Sequence, residues 1–511
     1  MSGIEQQLAE WMSTYGAADA DVAHLLCDRH PADARAFTVV DPDLSSYGVT
    51  YGELADRSRR LATVLAAEGI GEGVRVPILL GKRPDLAVAL LALWRLGAVH
   101  VPLFTAFATG AIAMRVEGSG ATKVITDAGQ RAKVEPIESV EVLDIDELVA
   151  RAESAERLPK NIAIGGDGPF IQIYTSGTTG KPKGVPVPTR ALATFHSYLH
   201  YALDVTANDV FWNAADPGWA YGLFYSLTGP LLTGGTALMV TASFDPVQTM
   251  EIIRKFEVTN FCGAPTMYRA IAASPVDAAY PLRRASSAGE PLTPDVVAWG
   301  RENFGIEVRD HYGQTELGMV ICNLWHPDVA RPLKSGSMGV PLPGIVADII
   351  DGQIAINVAD SPALWFTGYV DEPKKSAERF TADGAWYLTA DTGRVDEDGY
   401  YFFAARDDDV ILAAGYRIGP FDVESVLVTH PAVAEVAVVG RPDPDGVRGE
   451  MVEAFVVLMA GAEPGPALAE ELQNLVRDQY SKHAYPRKVN FVNELPKTPS
   501  GKVQRFLLRQ Q

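Results

Sequence analysis

Between Tyr174 and Val185 the chain gathers four aliphatic hydroxyls (Thr175, Ser176, Thr178, Thr179), three glycines (Gly177, Gly180, Gly184) and two lysines (Lys181, Lys183). Such a loop is chemically suited to hold a polyphosphate. Glycines let backbone N–H groups approach oxygens at φ/ψ values closed to other residues, hydroxyls donate between them, and lysines neutralise charge. It is not the P-loop of the Walker A motif, which needs four residues between its glycines and Ser or Thr directly after its lysine. Here two residues separate Gly177 from Gly180, and Pro182 follows Lys181. A flexible Ser/Gly linker does not fit either, because the strand-like run at 170–173 leads straight into the loop. A second spacing, His196 and His200 four apart on a helical stretch, suits a metal, but the glutamate of HExxH is absent and no third ligand is evident. No metal site is expected there.

The loop must be held by the elements around it. Apolar runs of strand length alternate with helical patterns at 37–40, 51–68, 76–80, 85–96 and 100–103, which predicts α/β layers with largely parallel sheets. Thr293 as N-cap, Pro294 in the first turn and Gly305 as stop predict a helix between two loops, and loops at strand ends are where α/β sheets bind ligands. Near Ala404 the pattern changes to a charged run, Arg406-Asp407-Asp408-Asp409, followed by helix, strand, strand, helix and strand at 423–429, 433–439, 452–458, 467–480 and 489–492. A separate small α+β domain is expected there. No internal repeat or low-complexity segment is present.

Bulk properties narrow the partners. A chain of 511 residues exceeds one compact core. With 44 Lys and Arg against 64 Asp and Glu, the formal charge of −20 argues against nucleic acid or an anionic membrane, both of which need a basic face. Cys27, Cys262 and Cys322 are too few and too scattered for a disulfide framework or a zinc site, which points to a reducing compartment. The start of the chain lacks a basic region followed by an apolar run. The longest apolar stretch, 86–94, is too short to span a bilayer and is closed by Arg95 and Gly97. No membrane span is expected, and the cytoplasm is the expected location.

With its loop, the chain resembles the adenylate-forming enzymes, which include acyl-CoA synthetases, luciferases and the adenylation domains of peptide synthetases. Further motifs carry the resemblance in family order: Ser287-Ala288-Gly289-Glu290-Pro291, Tyr312-Gly313-Gln314-Thr315-Glu316, Tyr387-Leu388-Thr389-Ala390-Asp391, the Arg406 run, Gly415-Tyr416-Arg417-Ile418 and Pro496-Lys497-Thr498-Pro499-Ser500-Gly501-Lys502. The resemblance implies a large N-terminal domain of several subdomains at 1–405, a hinge at 406–409 pivoting on Asp408, and a small mobile C-terminal lid domain at 410–511.

It also implies roles. ATP activates a carboxylic acid by attack on the α-phosphate, so the protein must position reactants and stabilise charge. Thr175, Ser176, Gly177, Thr178, Thr179, Gly180, Lys181 and Lys183 would hold the β- and γ-phosphates, with Mg²⁺ on Glu316. Gly289, Glu290 and Pro291, with Asp310, His311, Tyr312, Gly313, Gln314 and Thr315, would form the nucleotide slot. Asp391 would accept both ribose hydroxyls, while Arg406 and Arg417 would add phosphate and ribose contacts. Lys502 would bridge the carboxylate and α-phosphate in the transition state, alongside Glu316 and Thr175. After adenylation the lid would swing, withdrawing Lys502 and presenting the Gly415 loop to a thiol.

Asp216-Pro217-Gly218-Trp219 and residues 446–458 look like acetyl- and medium-chain acyl-CoA synthetases, so the expected acceptor is CoA, met by Ala414, Gly415, Tyr416, Arg448 and the Tyr485-Pro486-Arg487 turn. Acetate-specific relatives carry a tryptophan where this chain has Gly313. With Trp219, Ala220 and Tyr221 along the same pocket, a medium-chain, branched or aromatic acid is expected to outcompete acetate. An amide synthetase or a carrier-protein ligase using the same adenylate is the alternative, and a nonenzymatic adenylate-binding regulator a remote one. A homo-oligomer is compatible with the sequence, and Lys502, in an exposed-looking Pro/Ser/Gly loop, is a candidate for a lysine acetyltransferase. Ala405 and Leu317 depart from the family's usual Gly and Thr, and the segment 344–365 looks shortened, with Asp351-Gly352-Gln353 in place of a Gly-Glu pair.

Overall fold

A computed structural model describes residues 3–175, 182–406, 409–413, 416–443, 450–481, 483–498 and 503–511. The expected alternation builds two large sheets. One has six strands in the order Glu141–Asp144, Lys123–Thr126, Arg75–Leu79, Val99–Pro102, Pro169–Thr175 and Lys183–Pro188, parallel except for the last pair. The other has nine strands, in the order Val340–Pro341, Gly318–Cys322, Arg309–Gln314, Arg284–Ala288, Asn260–Gly263, Phe211–Asn213, Ala237–Val240, Arg35–Val40 and Ser46–Thr50. Its central strands are parallel and its edges antiparallel. Parallel strands buried on both faces read as continuous apolar runs, which is why they were visible in the sequence.

Local signals set the helices. Helix Tyr51–Ala67 opens on a capping box in which Thr50 Oγ1 accepts from Glu53 N at 3.1 Å and the Glu53 carboxylate accepts from Thr50 N at 2.7 Å. Helix Pro84–Arg95 is buried on every side from Leu86 onward, as its apolar run requires. Helix Pro294–Phe304 ends at Gly305, φ +68°, as expected. Thr293 occupies its cap position, but its hydroxyl makes no capping bond and is buried without a partner among the described residues.

A third sheet departs from the parallel expectation. Ala347–Ile350, Gln353–Asn357, Trp386–Val395 and Tyr401–Arg406 form an antiparallel meander. Asp351 and Gly352, with φ of +50° and +80°, close its first hairpin, the dipeptide that a two-residue turn of this hand favours. The C-terminal α+β unit follows the expected order: Pro420–Leu427, Val433–Pro442, Glu450–Leu458, Pro466–Gln479 and Lys488–Phe491, with its own apolar core around Val423, Val438, Ala454 and Leu472. No described helix is long and apolar enough to cross a membrane.

One buried charge ties the N-terminal helices together. Arg95, 0% exposed, donates to Asp28 Oδ1 at 2.7 Å and Oδ2 at 2.8 Å, to Ser58 Oγ at 2.8 Å and to Asn161 Oδ1 at 2.9 Å. Burial alone would lift the Asp28 carboxyl, but Arg95 holds it below the usual range. Arg95→Ala leaves that carboxylate without its main partner and is expected to lower stability by about 3–5 kcal/mol, read as a fall in the urea midpoint of the N-terminal domain.

Candidate active site

The motif residues that the sequence scatters between 309 and 391 meet where the nine-stranded sheet faces the antiparallel one. Tyr312 Oη donates to Asp391 Oδ2 at 2.6 Å, and Gln314 Nε2 donates to the same oxygen at 2.5 Å and to Thr389 O at 2.8 Å. Tyr387 Oη donates to Gln314 Oε1 at 3.1 Å, fixing which way the amide faces. Within the strand Trp386–Val395, whose pairing is irregular here, Ala390 beside Asp391 takes φ +59°, a left-handed conformation that costs a non-glycine residue about 1–2 kcal/mol and that Thr389 braces by donating to Ile354 O at 2.6 Å and accepting from Asp391 N at 3.1 Å.

Beside this network lies a cationic cluster. Glu316, 5% exposed, accepts from Tyr369 Oη at 2.7 Å, and Arg379 stands 3.7 Å from the same carboxylate oxygen while its Nε donates to Tyr369 Oη at 2.9 Å. Lys183 Nζ sits 4.8 Å from the Tyr369 ring centroid; burial, then Arg379 and Lys375, lower its pKa. Thr175 pairs with Lys183 across the antiparallel strands, so the two ends of the hydroxyl-rich loop are held side by side.

At the neighbouring strand end, Gly289 takes φ +102° with open space where a Cβ would stand. Glu290 accepts from Thr266 N at 3.0 Å and from Arg269 at 3.1 Å. Asp310 accepts from Leu292 N at 3.2 Å, and burial pushes its pKa up to about 7 against the pull of the Leu292 and His311 N–H groups.

The expected acyl-pocket residues divide. Trp219 packs on Phe104 and Phe107, ring centroids 5.1 Å and 5.3 Å away. Tyr221 meets Tyr198, whose hydroxyl also reaches His311 Nδ1 at 2.8 Å. A Cβ on Gly313 would stand 2.7 Å from Met319 Cα and closer still to the Gly318 carbonyl oxygen. Strand pairing therefore demands glycine there, a constraint separate from the absence of an indole. In the C-terminal unit Arg487 stacks over the Tyr485 ring at 3.7 Å, with Pro486 between them buried. Ser176, Gly177, Thr178, Thr179, Gly180, Lys181, Asp408, Ala414, Gly415, Arg448 and Lys502 lie outside the described residues, as do the side chains of Arg406, Tyr416 and Arg417. His196, the candidate set aside above, stacks on Trp11 at 4.1 Å and pairs with Tyr15 Oη at 2.8 Å.

The sequence reading passed over Tyr369, Arg379 and Tyr198. Arg379 had a usable signal: the Asp383-Gly384 dipeptide marks a turn, and around it Leu388 N donates to Arg379 O at 2.7 Å, bringing the guanidinium beside the Thr389 and Leu388 carbonyls. Tyr198 had none, since a buried aromatic on an apolar helix reads as core.

The fold is that of adenylate-forming enzymes, and comparison with known proteins agrees. Residues 26–359 match the AMP-binding enzyme family and residues 422–502 the AMP-binding enzyme C-terminal domain. The acetyl-coenzyme A synthetase of Bacillus subtilis (strain 168) is 36% identical over 494 residues, covering 90% of this chain and 84% of that protein. The mitochondrial acyl-coenzyme A synthetase ACSM3 of Rattus norvegicus is 35% identical over 508 residues, covering 93% and 86%. The crystal structure of a Brucella canis acyl-CoA synthetase is 41% identical, with a TM-score of 0.76 over 98% of this chain and 96% of that one. The chain belongs to the AMP-binding enzyme family. It is an AMP-forming acid–thiol ligase with a large N-terminal domain and a small α+β C-terminal one.

The Asp310 geometry predicts a pH effect on folding. Its carboxyl titrates near 7 when folded and near 3.9 when unfolded, so across that window the folded state binds more protons and stability falls as pH rises. Asp310→Asn, which keeps an acceptor for Leu292 N, is expected to gain stability over wild type by up to about 1.4 kcal/mol per pH unit between pH 5 and 7, measured as urea midpoints at each pH.

Proposed function

We propose that the chain activates a carboxylic acid larger than acetate, of the medium-chain, branched or aromatic kind, as its acyl adenylate and then transfers the acyl group to CoA. AMP and pyrophosphate are the other products. The observation that carries this reading is the meeting of Tyr312 with Asp391 and of Tyr369 with Glu316 in one cleft wall, at 2.6 Å and 2.7 Å. It sets a carboxylate suited to ribose hydroxyls beside a cationic cluster suited to phosphates. Lys183 and Arg379 carry that positive charge. Tyr312 would lie along the adenine and Lys502, from the domain at 410–511 beyond the 406–409 hinge, would meet the α-phosphate.

Mg²⁺ fits Glu316: one carboxylate oxygen is held by Tyr369, no described residue donates to the other, and this ion takes one or two carboxylates with phosphate oxygens. When bound it would neutralise charge on the departing pyrophosphate. With Trp219 drawn into the Phe104 and Phe107 cluster and no side chain at Gly313, no described indole closes the acyl end, and each buried CH₂ of a longer acid would contribute about 0.8 kcal/mol. A short acid is the second reading. It is favoured by the demand of strand pairing for glycine at Gly313, and one relative is an acetyl-coenzyme A synthetase. The expected location is the cytoplasm.

The test is pyrophosphate release and thioester formation with ATP, Mg²⁺ and CoA across acetate, butyrate, hexanoate, octanoate, isobutyrate and benzoate. A CoA-dependent product peaking above acetate is expected; a peak at acetate establishes the second reading, and pyrophosphate without thioester turns the search to amine or carrier-protein acceptors. Lys502→Ala is expected to slow adenylation about 10²- to 10³-fold while preformed acyl adenylate still reacts with CoA.

A further inference from the structure

Behind Tyr221 runs a hydrogen-bond chain whose proton positions are fixed from its buried end. His311 Nε2 lies 3.2 Å from Asn323 O, and a carbonyl can only accept, so Nε2 carries a proton. Burial pulls the imidazole down to about 3. The ring is therefore neutral at any working pH, and Nδ1 holds only a lone pair. The Tyr198 hydroxyl, 2.8 Å from Nδ1, must donate to it. With that single proton committed, Tyr198 Oη can only accept from the Tyr221 hydroxyl 3.0 Å away. The Tyr221 proton thus points inward. The other donors nearby are closed in: Trp219 Nε1 is buried without a described partner, and Tyr225 is 0% exposed.

We propose that this chain makes Tyr221 an acceptor-only wall of the acyl pocket, so that the enzyme favours acids whose acyl group carries a hydroxyl or amino donor and rejects isosteres with a ketone or second carboxylate at the same place. Tyr198 acts as a positioning residue that holds the Tyr221 proton away from substrate. The inference rests on the reading of Ala220 and Tyr221 as pocket residues of an acid-activating enzyme. It needs no change in pocket size. Two acceptors set face to face leave both unsatisfied, whereas a donor completes one hydrogen bond. That difference is worth a factor of about ten or more in kcat/KM.

The experiment measures pyrophosphate release with matched acids: hexanoate, 5-hydroxyhexanoate and 5-oxohexanoate, and benzoate, 4-hydroxybenzoate and 4-acetylbenzoate. Wild type is expected to prefer the hydroxy acid over the keto acid tenfold or more in at least one series. Tyr198→Phe removes the acceptor of the Tyr221 proton and frees it toward substrate, so the preference is expected to fall to unity or invert. Tyr221→Phe removes donor and acceptor together and brings the ratio to about one, which carries the test if the Tyr198 variant folds poorly. A wild type that uses keto acids as well as hydroxy acids, that adenylates hexanoate or benzoate but neither hydroxy acid, or that keeps its ratio in both variants overturns the proposal. Absence of pyrophosphate release with every acid overturns instead the reading on which it rests.

Discussion

The Asp391 carboxylate is the point on which the site depends. Two donors from one strand of the nine-stranded sheet, Tyr312 Oη and Gln314 Nε2, converge on its Oδ2, while Asp391 itself belongs to the antiparallel sheet. Hydrogen bonds to an ionised acceptor are shorter and about twice as strong as neutral ones, and the burial of the Asp391 carboxylate limits how far solvent dilutes them. They set the distance between two sheets that share no strand. The left-handed Ala390 beside it is a local strain that this convergence sustains, since nothing in the preference of an alanine would choose that conformation.

A second tie repeats the logic with opposite charge. Arg379 is partly buried against Tyr369, Tyr387 and Glu316, and although burial works against its charge, the phenols and the carboxylate more than offset it. The chain as a whole carries −20, yet Lys183, Lys375 and Arg379 are close enough that the latter two depress the lysine. A concentration of positive charge in an acidic protein is what a polyanionic nucleotide requires, because the local field draws the ligand in while the surrounding surface repels other anions.

What could be read from the sequence follows from what each signal encodes. The runs at 76–80, 85–96 and 100–103 became Arg75–Leu79, Pro84–Arg95 and Val99–Pro102, because a parallel strand and its covering helix are buried on all sides and their periodicity has no competitor. The five elements after 420 appeared in the expected order, carried by apolar runs that build their own small core around Val423, Val438, Ala454 and Leu472. The antiparallel meander was less legible: its strands face solvent on one side, and its register depends on turns such as Asp351-Gly352 that single residues decide. Motif residues were recognisable by type, but their partners were not. Tyr369 and Arg379 lie outside the quoted motifs; the hairpin around Asp383-Gly384 places Arg379, and Tyr369 is held by Ser376 and by the Val370–Gly184 backbone bond. Gly313 was read as missing bulk, whereas the backbone of Gly318 and Met319 leaves no room for a Cβ. Close approach of two strands is a property of their pairing, and no local pattern announces it.

Asp310 and its neighbour His311 are held by different chemistry, and this separates their responses to solution conditions. Asp310 sits where burial brings its titration to about 7, so its charge changes within the range in which proteins work. In the Tyr198–Tyr221 chain the group that orders the protons is His311, whose ring stays neutral down to about 3, and the phenols beyond it are raised above their ordinary value by burial. Every proton in that chain is therefore fixed over the whole span in which Asp310 titrates. Discrimination among acids by the proposed Tyr221 wall is insulated from the pH that charges Asp310, because a neutral imidazole anchored on a backbone carbonyl has no second tautomer that keeps both of its bonds.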